Sequence, residues 1–243
     1  MEFLKIFFFF LIFTVSLHSK TLNLMTEIFP PYQYKSNIDN SLIGISIEII
    51  RAIQKELGTK DNIKVYPWSR GIKMLQKKKN TALFSMLRTK EREKKFKWVG
   101  PLTKMQLVFF KKRGSSIVLN SLEDAKKISK IGVTRNVANY DILTEKGFEN
   151  LDIIRSGVDE QNIQKLVKGR IDLWLALKKS GLYNAKEMGC GGQITPIENI
   201  IVFEGDLYIA FNKDTKDSVI NRWQNALDKI RKNRLITKIQ ARY

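Results

Sequence analysis

TALFSMLRTKEREKKFKWVGPL, residues 81 to 102, joins a strand pattern, a helix start and a fixed-geometry cation in one run. Ala82, Leu83, Phe84, Met86 and Leu87 are apolar with only Ser85 interrupting them, the composition of a short strand covered on both faces. Thr89 is an N-cap type of residue, followed by Lys90, Glu91 and Arg92 in what would be a first helical turn. A guanidinium there would stand beside free backbone N–H groups, a setting for anions. Arginine holds a carboxylate through two parallel hydrogen bonds, which lysine does not do. Taken alone, the segment fits a solvated surface ion pair better, because Glu91 and Glu93 flank the arginine.

Outward from this run, strand and helix patterns alternate. Ile45, Ile49, Ile53 and Leu57 recur every four residues and Gly58 stops the series, predicting an amphipathic helix with a glycine cap. Short apolar runs at Leu22 to Met25, Ile63 to Tyr66, Ile131 to Val133, Ile153 to Ile154 and Ile171 to Leu177 read as further strands. Ser121 with Asp124 marks a helix start, and Gly169 ends a helix that begins near Asp159. Ile220, Trp223, Leu227 and Ile230 give a C-terminal helix. The pattern is α/β with largely parallel strands.

The chain carries 43 Lys and Arg against 24 Asp and Glu, a net charge of +19. Its lysines fall in small scattered clusters, such as Lys77 to Lys79 and Lys178 with Lys179, so they read as solvated surface. Nucleic acid is therefore not an expected partner, although the field would steer small anions. Residues 1 to 19 open with Lys5 and a 12-residue apolar core from Ile6 to Leu17, then reach Ser19. That is the layout of a cleaved secretory signal, with a core too short to span a bilayer comfortably. No cysteine near the cut offers a lipid attachment point, so no direct membrane anchor is expected. His18 is the only histidine and Cys190 the only cysteine. A chain cut after Ser19 would have no histidine, which excludes Ser-His-Asp and Cys-His catalysis and deprives zinc of its usual ligands. No cofactor or metal is expected.

TLNLMTEIFPPYQY (21 to 34), GISIEIIRAIQKELG (44 to 58), YPWSRG (66 to 71), RTKEREKKFKWVGP (88 to 101), KIGVTRN (130 to 136) and LVKGRIDLW (166 to 174) follow one another. In that order they resemble the extracytoplasmic solute-binding proteins of amino-acid-type ABC importers, over about the whole chain after residue 20. The resemblance implies a type II periplasmic-binding-protein fold: two small α/β lobes, crossed twice by the chain, with ligand in the cleft between them. Carried onto this sequence, one lobe takes residues 20 to 102 plus 207 to 243 and the other 107 to 202. The resemblance also implies a monomeric periplasmic protein that hands a carboxylate-bearing solute to a membrane permease.

It assigns ligand contacts as well. Arg92 would grip the ligand carboxylate, with Ser85 and Thr89 on matching positions. Phe29 and Trp68, which as isolated residues read equally as core aromatics, would sandwich the ligand. Thr134 to Ala138, including Asn136 where the family usually has glycine, would open a helix whose N–H groups complete the anion site. Arg70 either contacts ligand or pairs with a nearby carboxylate to brace its loop. Glu27 either meets a cationic group or is an exposed turn residue. Asp172 is expected to be structural. Two positions depart from the family: Leu87 stands where amino-acid binders carry Ser or Thr, and Leu177 where they carry the aspartate that holds the α-ammonium. A cyclohexadienyl-type dehydratase, using Glu27 as its acid, and a ligand sensor for a membrane kinase are the alternatives that share the fold.

Overall fold

The computed structural model describes residues 22–134, 138–154 and 159–243, so the leader expected over residues 1 to 19 lies outside the described residues. The elements run β1 (Asn23–Thr26), β2 (Tyr34–Lys35), β3 (Leu42–Ile43), α1 (Ile45–Leu57), β4 (Ile63–Val65), α2 (Trp68–Lys77), β5 (Thr81–Leu87), α3 (Lys90–Glu93) and β6 (Phe96–Lys112). They continue with α4 (Leu122–Lys126), β7 (Ile131–Thr134), α5 (Ala138–Glu145), β8 (Leu151–Ile154), α6 (Glu160–Val167), β9 (Leu173–Leu177), α7 (Lys178–Glu187), β10 (Ile194–Asn212), α8 (Asp217–Lys232) and α9 (Leu235–Gln240).

The large sheet has the order β4-β1-β5-β10-β6-β9-β7-β8. At one end β4, β1 and β5 are parallel, and at the other β9, β7 and β8 are parallel. Between them run the long strands β6 and β10, antiparallel to each other and to their outer neighbours. Sequence patterning anticipates the parallel ends and misses the strand character of these two. Their alternating polar and apolar residues belong first to one core and then to the other, so no single face stays apolar along their length.

Two lobes follow from this topology. In one, Ile45, Ile49 and Ile53 of α1 pack with Phe84 of β5 and with Trp223 and Leu227 of α8. Each fully buried aliphatic side chain of this kind stabilises the fold by roughly 1.5–3 kcal/mol relative to exposure. Gly58 ends α1 in the left-handed conformation, φ 67°, where a side chain would add strain. In the other lobe, Leu107, Phe109, Val133 and Leu175 form one core and Phe110, Ile163 and Trp174 another. Ser121 and Asp124 form the reciprocal capping box expected of α4. Asp172 accepts the Lys130 backbone N–H at 3.0 Å, which fastens the start of β9 to the residue before β7.

At the joint, β6 and β10 pair Thr103 with Leu207, Met105 with Gly205 and Leu107 with Phe203. The lobes also touch across the cleft. Ser180 Oγ donates to the Pro30 carbonyl at 2.7 Å, and the rings of Tyr34 and Tyr183 lie 4.9 Å apart.

Candidate functional site

β5 is the strand that delivers the site. Thr81 to Met86 are all buried, as the opening run predicts, and the strand ends at Leu87 where the chain turns toward α3. Ser85 sits in this strand with φ 60°, a left-handed conformation uncommon for a residue with a Cβ. Its hydroxyl lies 2.8 Å from both Gln33 Oε1 and Ser46 Oγ. One hydroxyl has one proton, so Ser85 donates to Gln33 and accepts from Ser46. The strained residue is thereby locked to the loop after β1 and to the first turn of α1. Gln33 and Ser46 are positioning residues that sequence reasoning missed; a glutamine just after FPPY gives no periodic signal of burial.

Arg92, half-buried in α3, donates from Nη1 to the Leu87 carbonyl at 3.0 Å. Its guanidinium carbon lies 5.8 Å from the centre of the Trp68 ring. Among the described residues no carboxylate forms an ion pair with it: Glu93 instead pairs with Arg88 at 2.6 Å. Burial holds its pKa below the ordinary arginine value, an effect that Glu91 opposes. The result is a desolvated cation, oriented by one backbone bond and lying against an aromatic ring, with donors left over for a ligand. The surface ion pair suggested by the isolated segment forms on Arg88.

Thr89 occupies the N-cap position of α3 in extended conformation, but its side chain makes no capping hydrogen bond. This corrects the expected cap: the carbonyl of Thr89 receives the Arg92 and Glu93 N–H groups, each at 3.0 Å. Leu87 fills the space over Gly205, where an added Cβ would lie 2.5 Å from Leu87 Cδ1. Leucine at this position therefore packs against the joint between the lobes.

The loop carrying Phe29 is held as a tight turn, with Tyr32 and Gln33 N–H groups donating to the Phe29 carbonyl at 2.9 and 3.0 Å. Phe29 stacks on Tyr32 at 4.9 Å and rests partly on the core of its lobe. Trp68 opens α2 directly after Pro67, half-buried. Arg70 departs from the expected pairing with a carboxylate: its guanidinium lies 4.9 Å from the Tyr66 ring, with no acidic partner among the described residues. Glu27, just past β1, is half-buried and has no ion-pair partner among the described residues; burial raises its pKa above the ordinary carboxylate value.

On the other lobe, Ala138 begins α5 and Asn136 lies outside the described residues. Thr134 accepts a hydrogen bond from Asn162 at 3.3 Å. Leu177 ends β9 and stands immediately before α7, half-buried against the core that contains Val202. Asp159, immediately before α6, reads in the sequence only as a helix start. Its pKa is pushed up to about 6 by burial and by neighbouring Glu160, against one hydrogen bond from Asn184 at 3.3 Å. Among the described residues no three metal-ligating side chains converge.

The sequence profile of the bacterial extracellular solute-binding proteins, family 3, matches residues 22–243. The chain belongs to this family. Among solved structures, it is similar to an ancestral cationic amino acid solute-binding protein, with a TM-score of 0.78 and 21% identity over 92% of this chain and 95% of that one. It is also similar to the probable amino-acid ABC transporter extracellular-binding protein of Bacillus subtilis, with a TM-score of 0.77 and 19% identity over 92% and 97% of the two chains. A histidine kinase sensor domain with similarity to periplasmic binding proteins matches with a TM-score of 0.71 and 19% identity over 92% and 96%. No curated protein matches the chain. These likenesses establish the type II periplasmic-binding-protein fold. No helix among the described residues is long and apolar enough to cross a membrane.

Proposed function

We propose that this family 3 protein captures a small carboxylate-bearing solute between its lobes and presents it to the membrane permease of an ABC importer. The observation that carries this reading is Arg92: a half-buried guanidinium, anchored on the Leu87 carbonyl, lying against Trp68 and without an acidic partner among the described residues. Closure of the lobes removes water from that contact and strengthens it. The protein acts as a monomer in the periplasm, delivered there by the leader of residues 1 to 19, and it needs no cofactor.

The ligand class follows from Leu177. An α-ammonium in the family's usual pose would be desolvated against a leucine side chain, at a cost of several kcal/mol without a counter-charge. The preferred ligand therefore has no α-ammonium in that pose, or holds its amine through Glu27.

A second reading, an enzyme of the cyclohexadienyl dehydratase type, is favoured by the same Glu27. A half-buried carboxyl whose pKa burial raises, with no ion pair among the described residues, is the kind of group that serves as a general acid. A thermal-shift screen against amino acids, dicarboxylates, amines and aromatic acids tests the first reading. A ligand at a hundredfold excess over its Kd stabilises by about 2.7 kcal/mol, a rise of roughly 5–10 °C for a chain of this size. Release of product from prephenate by the purified protein would decide for the enzyme; saturable binding without product decides for the receptor.

A further inference from the structure

Basic residues that are scattered along the sequence are gathered by the fold at one pole of the first lobe. Lys78 and Lys79 lie between α2 and β5, Lys213 and Lys216 between β10 and α8, Lys60 between α1 and β4, and Arg222 in the second turn of α8. These segments adjoin because β5 and β4 both run parallel to β1 while β10 runs antiparallel to β5, so the entrances to β4 and β5 stand beside the exit from β10. Asn212, the last residue of β10, donates to the Leu75 carbonyl of α2 at 2.7 Å. Lys60, Asn80, Thr215 and Arg222 line one cavity of about 280 Å3. Since β5 leads to Arg92 at its other end, this pole faces away from the cleft.

All six basic residues are exposed, and none forms an ion pair among the described residues. Three carboxylates accompany them: Asp217 is paired with Lys97 at 2.5 Å, Asp61 accepts the Leu22 N–H at 3.1 Å, and Asp214 is exposed. Positive charge is left in excess. The needs of the helices do not explain it. Lys78 follows α2, where a cation suits the helix dipole, but Lys216 holds the N-cap position of α8 and Lys213 precedes it, at the end where a cation is unfavourable. The far end of the other lobe differs: Lys146, Lys168 and Arg170, which follow α5 and α6, are accompanied there by Glu145, Glu149 and Asp172. An unbalanced basic surface that works against its own helix is one that suits an anionic partner.

We propose that this pole is a docking surface for an anionic phospholipid membrane. Charge complementarity gives the class of partner, and the choice of a membrane among polyanions rests on the reading of the protein as a receptor for a membrane permease. Each Lys or Arg brought close to a negatively charged bilayer strengthens attachment about fivefold. Six together retain beside the membrane a chain that has no cysteine near its expected cut for a lipid. Because the pole faces away from the cleft, the attached protein keeps Arg92 open to solute.

Co-sedimentation of the protein without its leader, residues 20 to 243, with lipid vesicles tests this in the absence of any cleft ligand, so the outcome does not depend on whether Arg92 takes a carboxylate. Vesicles of phosphatidylglycerol mixed with phosphatidylcholine should bind the protein, and pure phosphatidylcholine should not. Raising the salt from about 0.1 M to about 1 M, which shortens the screening length from about 10 Å to about 3 Å, should release it. Combining Lys79→Gln, Lys216→Gln and Arg222→Gln should weaken binding roughly hundredfold. The pair Lys79→Gln with Lys216→Gln, worth roughly 20-fold, serves if the triple variant fails to fold. The charge-matched set Lys146→Gln, Lys168→Gln and Arg170→Gln, in the other lobe, should change binding far less, and Arg92→Ala should bind like the unmodified protein. No binding to the anionic vesicles, equal binding to the neutral ones, or equal losses in the two charge-matched sets would overturn the proposal. So would loss of binding in Arg92→Ala, which would place the lipid contact at the cleft.

Discussion

Replacing Leu177 with aspartate should create a site for α-amino acids in a cleft that disfavours them. Leu177 stands at the end of β9, half-buried, opposite Leu107 in the sheet and against the core that contains Val202. Losing the apolar contacts of a half-buried leucine, and exposing a carboxylate to that core, should cost about 1–3 kcal/mol of stability. For a chain of this length that is a fall in Tm of roughly 2–12 °C. In return, an α-ammonium that would otherwise be desolvated without a partner gains a counter-charge, worth about 2–5 kcal/mol of binding for a close, water-poor pair. At about 1.4 kcal/mol per tenfold, the affinity for an ordinary α-amino acid should rise by roughly 30- to 4,000-fold. Calorimetric titration of both proteins with arginine, glutamine and glutamate reads this directly. Micromolar binding of such an amino acid by the unmodified protein, undiminished by Glu27→Gln, would refute the reasoning, because it would mean that the ammonium needs neither Leu177→Asp nor Glu27.

Trp68 should report ligand closure, since its half-buried ring lies beside Arg92; Trp68→Phe should lose most of the fluorescence change on ligand addition, which Trp98, Trp174 and Trp223 would otherwise retain. Ser85→Ala should lower stability by about 1–3 kcal/mol by leaving Gln33 and Ser46 short of a partner. Denaturant unfolding checks that cost, and unchanged stability together with lost ligand binding would make Ser85 a ligand contact instead. Asp159 has a folded pKa of about 6 against an ordinary value of 3.8, so the native state holds the proton more tightly than the unfolded one. Its contribution to stability is complete below about 3.8 and lost as pH rises through about 6. Asp159→Asn should therefore flatten the decline in Tm between pH 4 and pH 7, whereas an undiminished decline would assign it to other groups.

The parts of the fold that were legible in the sequence are those with one dominant period. The four-residue spacing of α1, the Gly58 stop and the Ser121–Asp124 box each carry their own stereochemical reason, and each appears in the structure. β6 and β10 were illegible as strands because they serve two cores in succession and their register shifts on either side of the joint. The site shows the same division. Arg92 and Trp68 were picked out from separate motifs, and the structure brings them together at 5.8 Å. The scaffold beneath them, Ser85 to Gln33 and Ser46, joins residues 52 and 39 positions apart, and no local pattern encodes such pairings.

The central claim is that Arg92 receives a carboxylate, and the most direct measurement is calorimetric titration of the unmodified protein, Arg92→Lys and Arg92→Ala with the tightest-binding acid from the ligand screen. Truncation of a desolvated charged partner costs about 2–5 kcal/mol, so Arg92→Ala should weaken binding by roughly 30- to 4,000-fold with little change in Tm. Arg92→Lys should fall nearly as far, because a lysine keeps the charge but loses both the planar fork and the anchor on the Leu87 carbonyl. An unchanged Kd in either variant, or equal binding of the same ligand with its carboxylate replaced by an amide, would contradict the account.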